Sequence, residues 1–184
     1  MKPKVYIDGK EGTTGLQIYE RLGGRDDLEL LLIDEDKRKD TEERRRFLNA
    51  ADIVFLCLPD AAAKEAVGLI ENKNTRVIDA STAHRVDAGW IFGFPELAPG
   101  QRERIAAASL VSNPGCYSTG AIAMIAPLIA AGLIEEDEYL AINAVSGYSG
   151  GGKALIAEYE DGGAPEHFVY ALTQRHKQDR KSVV

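Results

Sequence analysis

The chain has 184 residues, of which 45% are hydrophobic and 28% are charged. This composition is typical of a soluble globular protein, and the length suits one large domain or one domain with part of another. The formal net charge of −7 argues against a general nucleic-acid-binding surface, because no basic face offsets it. The one dense basic cluster, Arg44-Arg45-Arg46, directly follows two glutamates and is predicted to be a solvated helix face.

The sequence carries no sign of secretion or of a membrane span. No secretory leader precedes the first predicted strand, and no apolar run approaches the roughly 18 residues that a spanning helix needs. The two cysteines, Cys57 and Cys116, have very different neighbours, which favours a reducing compartment over a disulfide framework. We therefore expect a cytoplasmic protein.

The first predicted element is a strand over residues 4–8, followed by a glycine-rich turn and a helix. Glycines at positions 9, 12 and 15 suit a tight turn whose backbone N–H groups, with the helix N-terminus, can hold a pyrophosphate. The spacing differs from the usual dinucleotide fingerprint, so a plain glycine turn is the alternative. Its place at the first strand of a βαβ unit, with a second strand predicted over residues 28–33, favours a nucleotide.

The residues after the second strand bear on the choice of cofactor. Asp34 could bind the ribose 2′-hydroxyl of NAD, whereas Lys37 and Arg38 could bind the 2′-phosphate of NADP. A third interpretation is that Asp36 or Asp40 caps the next helix. These residues alone leave the choice between NAD and NADP open.

Two further strands are predicted over residues 53–58 and 76–80. The first is an unbroken apolar run, typical of a fully buried strand, and Asp60 is predicted to cap the helix that follows it. Strands and helices that alternate in this way predict an α/β fold with a doubly wound parallel Rossmann-type sheet and right-handed crossovers.

Ligands of such sheets bind at the carboxyl ends of the strands, where the sequence places Pro59, Ser81 and Arg85. Arg85 is either a surface arginine or a clamp for an anion. His84 is interpreted as an ordinary loop histidine.

The stretch Ser112–Gly120 joins a strand predicted over residues 107–111 to a long apolar helix. Asn113 is a suitable N-cap residue, and the proline after it is tolerated in the first turn of a helix. Cys116 is therefore predicted to lie near a helix N-terminus.

Backbone N–H groups and the helix dipole at this position favour the thiolate form of Cys116, which is the nucleophilic form. The alternative is a small buried cysteine that only packs, and that is the role predicted for Cys57. The Asn-Pro-Gly lead-in favours the nucleophile.

Beyond this helix, residues 139–145 alternate like a strand and run into the glycine-rich stretch 146–153. Such a stretch indicates a mobile loop or a close backbone approach to a ligand, with Lys153 as an optional phosphate contact.

Six motifs stand in a consistent order along most of the chain. They are Asp8-Gly9 with Gly12-Thr13-Thr14-Gly15, Cys57-Leu58-Pro59-Asp60, Asp79-Ala80-Ser81-Thr82-Ala83-His84-Arg85, Gly93-Phe94-Pro95-Glu96, Asn113-Pro114-Gly115-Cys116-Tyr117 and Ser146-Gly147-Tyr148-Ser149-Gly150. Together they resemble the N-acetyl-gamma-glutamyl-phosphate reductases in their shorter bacterial form. The resemblance implies NADPH-dependent reduction of N-acetyl-L-glutamyl 5-phosphate to the 5-semialdehyde in arginine biosynthesis, and a fold shared with aspartate-semialdehyde dehydrogenase.

The resemblance also implies roles for individual residues. Cys116 would displace phosphate from the substrate to form a thioester, and Arg85 and Asn113 would hold that phosphate. It favours Lys37 and Arg38 over Asp34, and hence NADP. The predicted cofactor-binding residues, which follow from the resemblance or from their position in the sheet, are Gly9, Gly12, Thr13, Thr14, Gly15, Lys37, Arg38, Pro59, Ser81, Ser149 and Gly150.

Two domains and a homo-oligomer follow from the resemblance. Residues 1–115 would form the cofactor domain, and residues 116–184 would begin an α+β catalytic domain. Gln178 stands where the family has its general acid/base histidine, and the tail over residues 178–184 has no family likeness. We therefore expect an incomplete catalytic domain, cut short by a frameshift or premature stop, with His176 as the candidate replacement base.

Two other functions stay open. One is a non-catalytic NADP-binding remnant that acts without turnover. The other is a related acyl-phosphate reductase acting on aspartyl phosphate, which the Asn-Pro-Gly-Cys-Tyr and Gly-Tyr-Ser-Gly motifs disfavour.

Overall fold

The computed structural model describes residues 1–10, 13–151 and 153–162. Within these ranges, six strands form one parallel sheet in the order β2-β1-β3-β4-β6-β5. This arrangement confirms the predicted doubly wound sheet. The strands are β1 (Lys4–Asp8), β2 (Glu29–Leu31), β3 (Ile53–Leu56), β4 (Arg76–Asp79), β5 (Ile91–Phe92) and β6 (Leu110–Ser112).

Helices form the connections between the strands except for the loop that leads from β4 to β5. They are α1 (Thr13–Gly23), α2 (Thr41–Ala50), α3 (Asp60–Gly68), α4 (Gln101–Ala107), α5 (Cys116–Ala130) and α6 (Lys153–Glu160), with 3-10 turns at Glu35–Lys37 and Tyr148–Gly151. In the described ranges, no helix is both long enough and apolar enough to cross a bilayer.

The strand order has a switch point between β1 and β3. The chain leaves β1 toward β2 on one side and then returns to β3 on the other. The crevice at the carboxyl ends of the strands beside such a point is where ligands bind in open parallel sheets. The glycine turn directly follows β1 and therefore lies at this crevice.

Two clusters of buried side chains form the core. The main cluster comes chiefly from β1, α2, β3, α3 and β4, and includes Tyr6, Leu48, Val54, Leu56, Ala63, Ala66, Val77 and Trp90. A smaller cluster of Phe92, Phe94 and Ile122 joins the edge of the sheet to α5. This second cluster seats the helix that begins with Cys116 against the sheet.

β2 and β3 are shorter than predicted. β2 covers three residues of the predicted 28–33, because it is an edge strand that pairs only with β1 and only over Glu29–Leu31. β3 ends at Leu56 instead of residue 58, and its residues alternate between buried and half-buried, so the prediction of a fully buried strand was wrong.

The last strand of the sheet begins later than predicted, since Ala107 ends helix α4 and β6 starts at Leu110. Helix α4 was not predicted from the sequence. Long-range contacts hold this short helix: the side chain of Gln101 donates a hydrogen bond to the Phe92 carbonyl, and the Arg76 guanidinium binds the Ala106 carbonyl at its C-terminus.

The strand predicted over residues 139–145 is absent, and these residues have no regular secondary structure. Alternating side chains define a face, but a strand also needs a neighbour that accepts and donates its backbone hydrogen bonds. In the described part of the chain, no strand pairs with this segment.

Candidate functional site

The glycine turn after β1 is built on close backbone packing. Gly9 has a φ of +87°, a left-handed conformation that favours glycine. A Cβ on Gly9 would lie 2.3 Å from the carbonyl oxygen of Cys57, and one on Gly15 would lie 2.4 Å from the carbonyl oxygen of Gly9. The turn therefore packs directly against the end of β3 and the first turn of α1.

This turn fits the diphosphate of a dinucleotide. It lies at the switch point of the sheet, and α1 begins right behind it, so the N–H groups of the first helical turn are available to an anion. Thr13 is the first residue of α1, and the side chain of Thr14 is exposed. Gly12 lies outside the described residues.

A buried ion pair fixes the end of β1, directly before the glycine turn. The carboxylate of Asp8, the residue before Gly9, accepts hydrogen bonds from Arg44 Nη2 at 3.0 Å and Nε at 3.3 Å, and Arg44 Nη1 donates to Glu65 at 3.0 Å. Burial raises the pKa of Asp8 above its ordinary value, while Arg44 opposes that shift. The prediction that Arg44 lies on a solvated helix face was therefore wrong: this arginine ties α2 to the end of β1.

The segment after β2 brings a lysine close to two carboxylates. Lys37 Nζ is 3.7 Å from Asp34 and 3.9 Å from Glu43, and both Lys37 and Asp34 are well exposed. Arg38 is also exposed and directly follows the 3-10 turn. Asp40 caps α2 by accepting a hydrogen bond from the Glu43 N–H at 2.8 Å, which confirms the capping interpretation for that residue.

The ends of β3 and β4 are joined by side chains. The prediction that Asp60 caps α3 was wrong, because Pro59 occupies the N-cap position and Asp60 is the first residue of the helix. Its carboxylate instead accepts hydrogen bonds from the Thr82 N–H at 3.0 Å and the Thr82 hydroxyl at 2.6 Å. Pro59 and Ser81 therefore lie on neighbouring loops at the carboxyl edge of the sheet, as the strand pattern predicts.

The loop after β4 is organised by Asp79, whose side chain is fully buried. This carboxylate accepts hydrogen bonds from the Ser81 N–H, the Ser81 hydroxyl and His84 Nδ1. His84 is also buried and stacks on Trp90. Neither role was predicted from the sequence. The one available signal was the position of Asp79 at the end of a strand.

The two residues predicted to bind phosphate are brought together. Arg85 Nε donates a hydrogen bond to the carbonyl oxygen of Asn113 at 3.0 Å, and Arg85 Nη2 lies 3.4 Å from the carbonyl oxygen of Ala80. Asn113 follows β6, and its N–H donates to the carbonyl oxygen of Asp79 at 2.7 Å. The paired ends of β4 and β6 thus place both residues at one edge.

Cys116 is the first residue of α5 and is exposed. The N-cap is Gly115, in an extended conformation and without a side-chain cap, so the prediction of Asn113 as the cap was wrong. The Asn113 amide instead donates to the carbonyl oxygen of Pro114. The cysteine therefore stands where the helix dipole and uncapped N–H groups favour an anion.

Cys57 has the opposite surroundings. It lies just after β3, is half-buried, and burial raises the pKa of its thiol to about 12, with smaller contributions from Asp79 and Asp8. Such a thiol stays protonated and unreactive near neutral pH. This agrees with the structural role predicted for Cys57.

Ser149 and Gly150 lie in the 3-10 turn at Tyr148–Gly151, which is linked to α6 by the stacking of Tyr148 on Tyr159 at 5.1 Å. Their placement at the cofactor stays a prediction. Lys153 opens α6, whereas His176 and Gln178 lie outside the described residues. No group of three or more side chains suited to a metal ion occurs in the part of the chain that the structure describes.

Two family models match the chain. A model described as the NAD binding domain of semialdehyde dehydrogenase matches residues 33–108, and one described as its dimerisation domain matches residues 116–180. The chain belongs to the semialdehyde dehydrogenase family. The match of the NAD binding domain confirms the prediction of a nicotinamide dinucleotide cofactor.

The relatives within this family bear out the resemblance seen in the motifs. Proteins named N-acetyl-gamma-glutamyl-phosphate reductase from Brucella anthropi and Brucella ovis are each 58% identical over 183 residues. The alignments cover 96% of this chain and 59% of each relative. The chain thus spans under two thirds of the length of the curated relatives it matches.

Solved structures show the same fold. Aspartate semialdehyde dehydrogenase II from Vibrio cholerae, solved in complex with ASA, superposes with a TM-score of 0.65 at 19% identity, over 95% of this chain and 57% of that one. The enzyme from Francisella tularensis has a TM-score of 0.60 at 19% identity, over 85% of this chain and 48% of that one.

Proposed function

We propose that the protein reduces N-acetyl-L-glutamyl 5-phosphate to N-acetyl-L-glutamate 5-semialdehyde with NADPH, as part of arginine biosynthesis. The observation that carries the proposal is the exposed Cys116 at the N-terminus of α5, on the same edge of the sheet as the paired Arg85 and Asn113. The names of the relatives that are 58% identical supply the substrate.

In this proposal Cys116 is the nucleophile. Its thiolate attacks the acyl carbon, the bond to the phosphate oxygen breaks, and inorganic phosphate leaves as a thioester forms on the cysteine sulfur. The N-terminus of α5 stabilises the thiolate before the attack and after the aldehyde has left.

Arg85 and Asn113 bind the phosphate that leaves. The guanidinium is held at Nε and Nη2 by backbone carbonyls, so its plane is fixed before the substrate arrives. A preorganised cation at the leaving group stabilises the charge that develops there and costs no rearrangement during the reaction.

The crevice between β1 and β3 would hold the cofactor. Gly9, Gly12, Thr13, Thr14 and Gly15 would hold its pyrophosphate, and Lys37 and Arg38 would bind the 2′-phosphate that distinguishes NADP. When bound, it supplies the hydride that converts the thioester to the aldehyde. Pro59, Ser81, Ser149 and Gly150 complete its surroundings.

The dimerisation domain matched at residues 116–180 supports a homo-oligomer as the working assembly. One sequence observation favours a second candidate, an NADP-binding protein without turnover. By the resemblance of the motifs, Gln178 stands where the family would have its general acid/base histidine, and glutamine does not exchange a proton near neutral pH.

The proposal is tested by the reverse reaction. We expect phosphate-dependent reduction of NADP by N-acetylglutamate 5-semialdehyde, followed at the absorbance of NADPH, in the wild type and in Cys57→Ser. Cys116→Ser should lower kcat by at least about 10³-fold, because the hydroxyl is a far weaker nucleophile than the thiolate.

Equal rates in the wild type and Cys116→Ser would contradict the thioester. No turnover in any variant, with NADPH still bound in a fluorescence titration, would favour the second candidate. Full activity with aspartate semialdehyde in place of the acetylated substrate would contradict the proposed specificity.

A further inference from the structure

We propose that Asp79 and His84 are positioning residues, which set the geometry of Arg85 and Asn113 for binding a phosphate group beside Cys116. This inference rests on the proposed function, because it assumes that Arg85 and Asn113 form the phosphate site. It assigns a role to a buried pair of side chains that does not touch the substrate.

The side chain of Asp79 is the first anchor. It has no exposed surface, and it accepts hydrogen bonds from the Ser81 N–H at 2.9 Å, the Ser81 hydroxyl at 2.7 Å and His84 Nδ1 at 2.6 Å. A buried carboxylate with three donors of this kind rigidifies the segment that supplies them. Residues 81–84 are thereby fixed on the end of β4.

His84 is held on a second side by stacking. Its ring lies 4.2 Å from that of Trp90, nearly parallel at 13°, and Trp90 belongs to the main core. The His84 side chain is 7% exposed. A ring fixed between a buried carboxylate and a core indole cannot shift without moving the next residue, Arg85.

The backbone of Asp79 anchors the other half of the pair. Its carbonyl oxygen accepts the hydrogen bond from the Asn113 N–H at 2.7 Å, and the Asn113 carbonyl oxygen in turn accepts from Arg85 Nε at 3.0 Å. Asp79 thus positions Arg85 through its side chain, which binds His84. It positions Asn113 through its main-chain carbonyl. Loss of the His84 contact should loosen Arg85 while Asn113 stays in place.

The test measures how strongly Cys116 prefers an anionic alkylating reagent. With both iodoacetate and iodoacetamide, the thiolate sulfur attacks the carbon that bears iodine, an S–C bond forms and iodide leaves, but only iodoacetate carries a carboxylate that a phosphate site attracts. The ratio of the two rates, followed by mass spectrometry of the Cys116 peptide, reports the site without requiring turnover. Cys57 is the internal control, since burial raises the pKa of its half-buried thiol to about 12 and it should not react.

Three substitutions of His84 separate the hydrogen bond from the stacking. His84→Asn keeps a donor at the position of Nδ1, His84→Gln moves the donor to the position of Nε2, and His84→Phe keeps the ring but has no donor. We expect the rate ratio to fall about tenfold in the Gln and Phe variants and to stay near the wild-type value in the Asn variant. Protection of Cys116 by inorganic phosphate should weaken by the same factor.

Arg85→Gln distinguishes this inference from the function on which it rests. It should lower the ratio as far as His84→Gln does, and the double variant should lower it no further, because both changes act on one group. An unchanged ratio in Arg85→Gln would overturn the phosphate site itself. A fall in Arg85→Gln with no change in His84→Gln and His84→Phe would overturn the positioning role and leave the proposed function standing.

Discussion

At the scale of single residues, the two cysteines show how position sets reactivity. Cys116 is exposed at a helix N-terminus, whereas Cys57 is half-buried beside two carboxylates, Asp79 and Asp8. Burial and those carboxylates both disfavour a thiolate, and they raise the pKa of Cys57 to about 12. The same side chain is thus protected in one place and open to reaction in the other.

This contrast predicts a dependence of stability on pH. The Cys57 thiol has an ordinary pKa of 9.0, so on unfolding it releases a proton at alkaline pH that the folded chain retains up to about pH 12. The folded state binds more protons in that window, so the free energy of unfolding falls as the pH rises through it. Below pH 9 this thiol contributes no pH dependence.

The measurement is urea unfolding at several alkaline pH values in a Cys116→Ser background, which removes the exposed thiol. Substitution Cys57→Ala in the same background should flatten the alkaline decline, and the slopes are compared instead of the absolute stabilities. Identical slopes in the two proteins would show that the folded state does not perturb Cys57.

At the scale of elements, Asn49 joins α2 to the end of α3. Its amide nitrogen donates to the carbonyl oxygens of Arg45 at 2.8 Å and Leu69 at 2.9 Å, and its oxygen accepts from the N–H groups of Glu71 at 2.7 Å and Asn72 at 2.8 Å. The amide of Asn49 thus donates two hydrogen bonds and accepts two. The side chain therefore acts as a cap for the segment that leads into β4.

We expect Asn49→Ala to lower the free energy of unfolding by about 2–3 kcal/mol, because it leaves partly buried backbone groups without partners. Asn49→Asp should lower the free energy of unfolding by at least as much, because it places a carboxylate oxygen against the carbonyl oxygens of Arg45 and Leu69. Asn74→Ala, at an exposed position nearby, is the matched control and should stay within about 0.5 kcal/mol. Denaturant unfolding checks all three, and a similar loss in Asn49→Ala and Asn74→Ala would contradict the role of Asn49.

The elements also show what the sequence can and cannot predict. β1, β3 and β4 lie where their apolar runs predict them, because local pattern and central position in the sheet agree. The predicted end of β3 was wrong by two residues and the predicted start of β6 by three, because the pairing partners decide where a strand begins and ends. The 139–145 segment has the right alternation and no partner, and so forms no strand.

The candidate site was predictable to the same extent. In a parallel sheet, the residues that follow the strands gather at one edge, so the grouping of Gly9, Ser81, Arg85 and Asn113 could be read from the strand pattern. The roles of Asp79 and His84 could not, because their hydrogen bond and the Trp90 stack join residues through the fold. Arg44 was placed on the surface for the same reason: its partner Asp8 is 36 positions away.

At the scale of the whole molecule, the two ends of the described chain differ in how well apolar side chains are covered. The sheet and its helices bury a continuous core, whereas only Ser118 and Ile122 are buried in the 15 residues of α5. Met124 is 61% exposed, and apolar side chains remain exposed beyond the helix, at Leu133, Tyr139, Leu140, Ile142 and Val145. A surface of this kind favours association with other apolar surfaces.

We therefore predict that the purified chain self-associates and binds the dye ANS, and that α5 contributes to both. Replacing Met124 and Leu128 together by lysine should lower the weight-average mass in sedimentation and the ANS signal, because the exposed apolar area shrinks and like charges repel. The melting temperature should change little, since neither side chain is part of the core. The matched control replaces Leu32 and Val86, which are exposed to a similar degree on the nucleotide-binding half, and adds the same charge. If both pairs lower association equally, net charge alone governs it, and the apolar face of α5 has no special part in it.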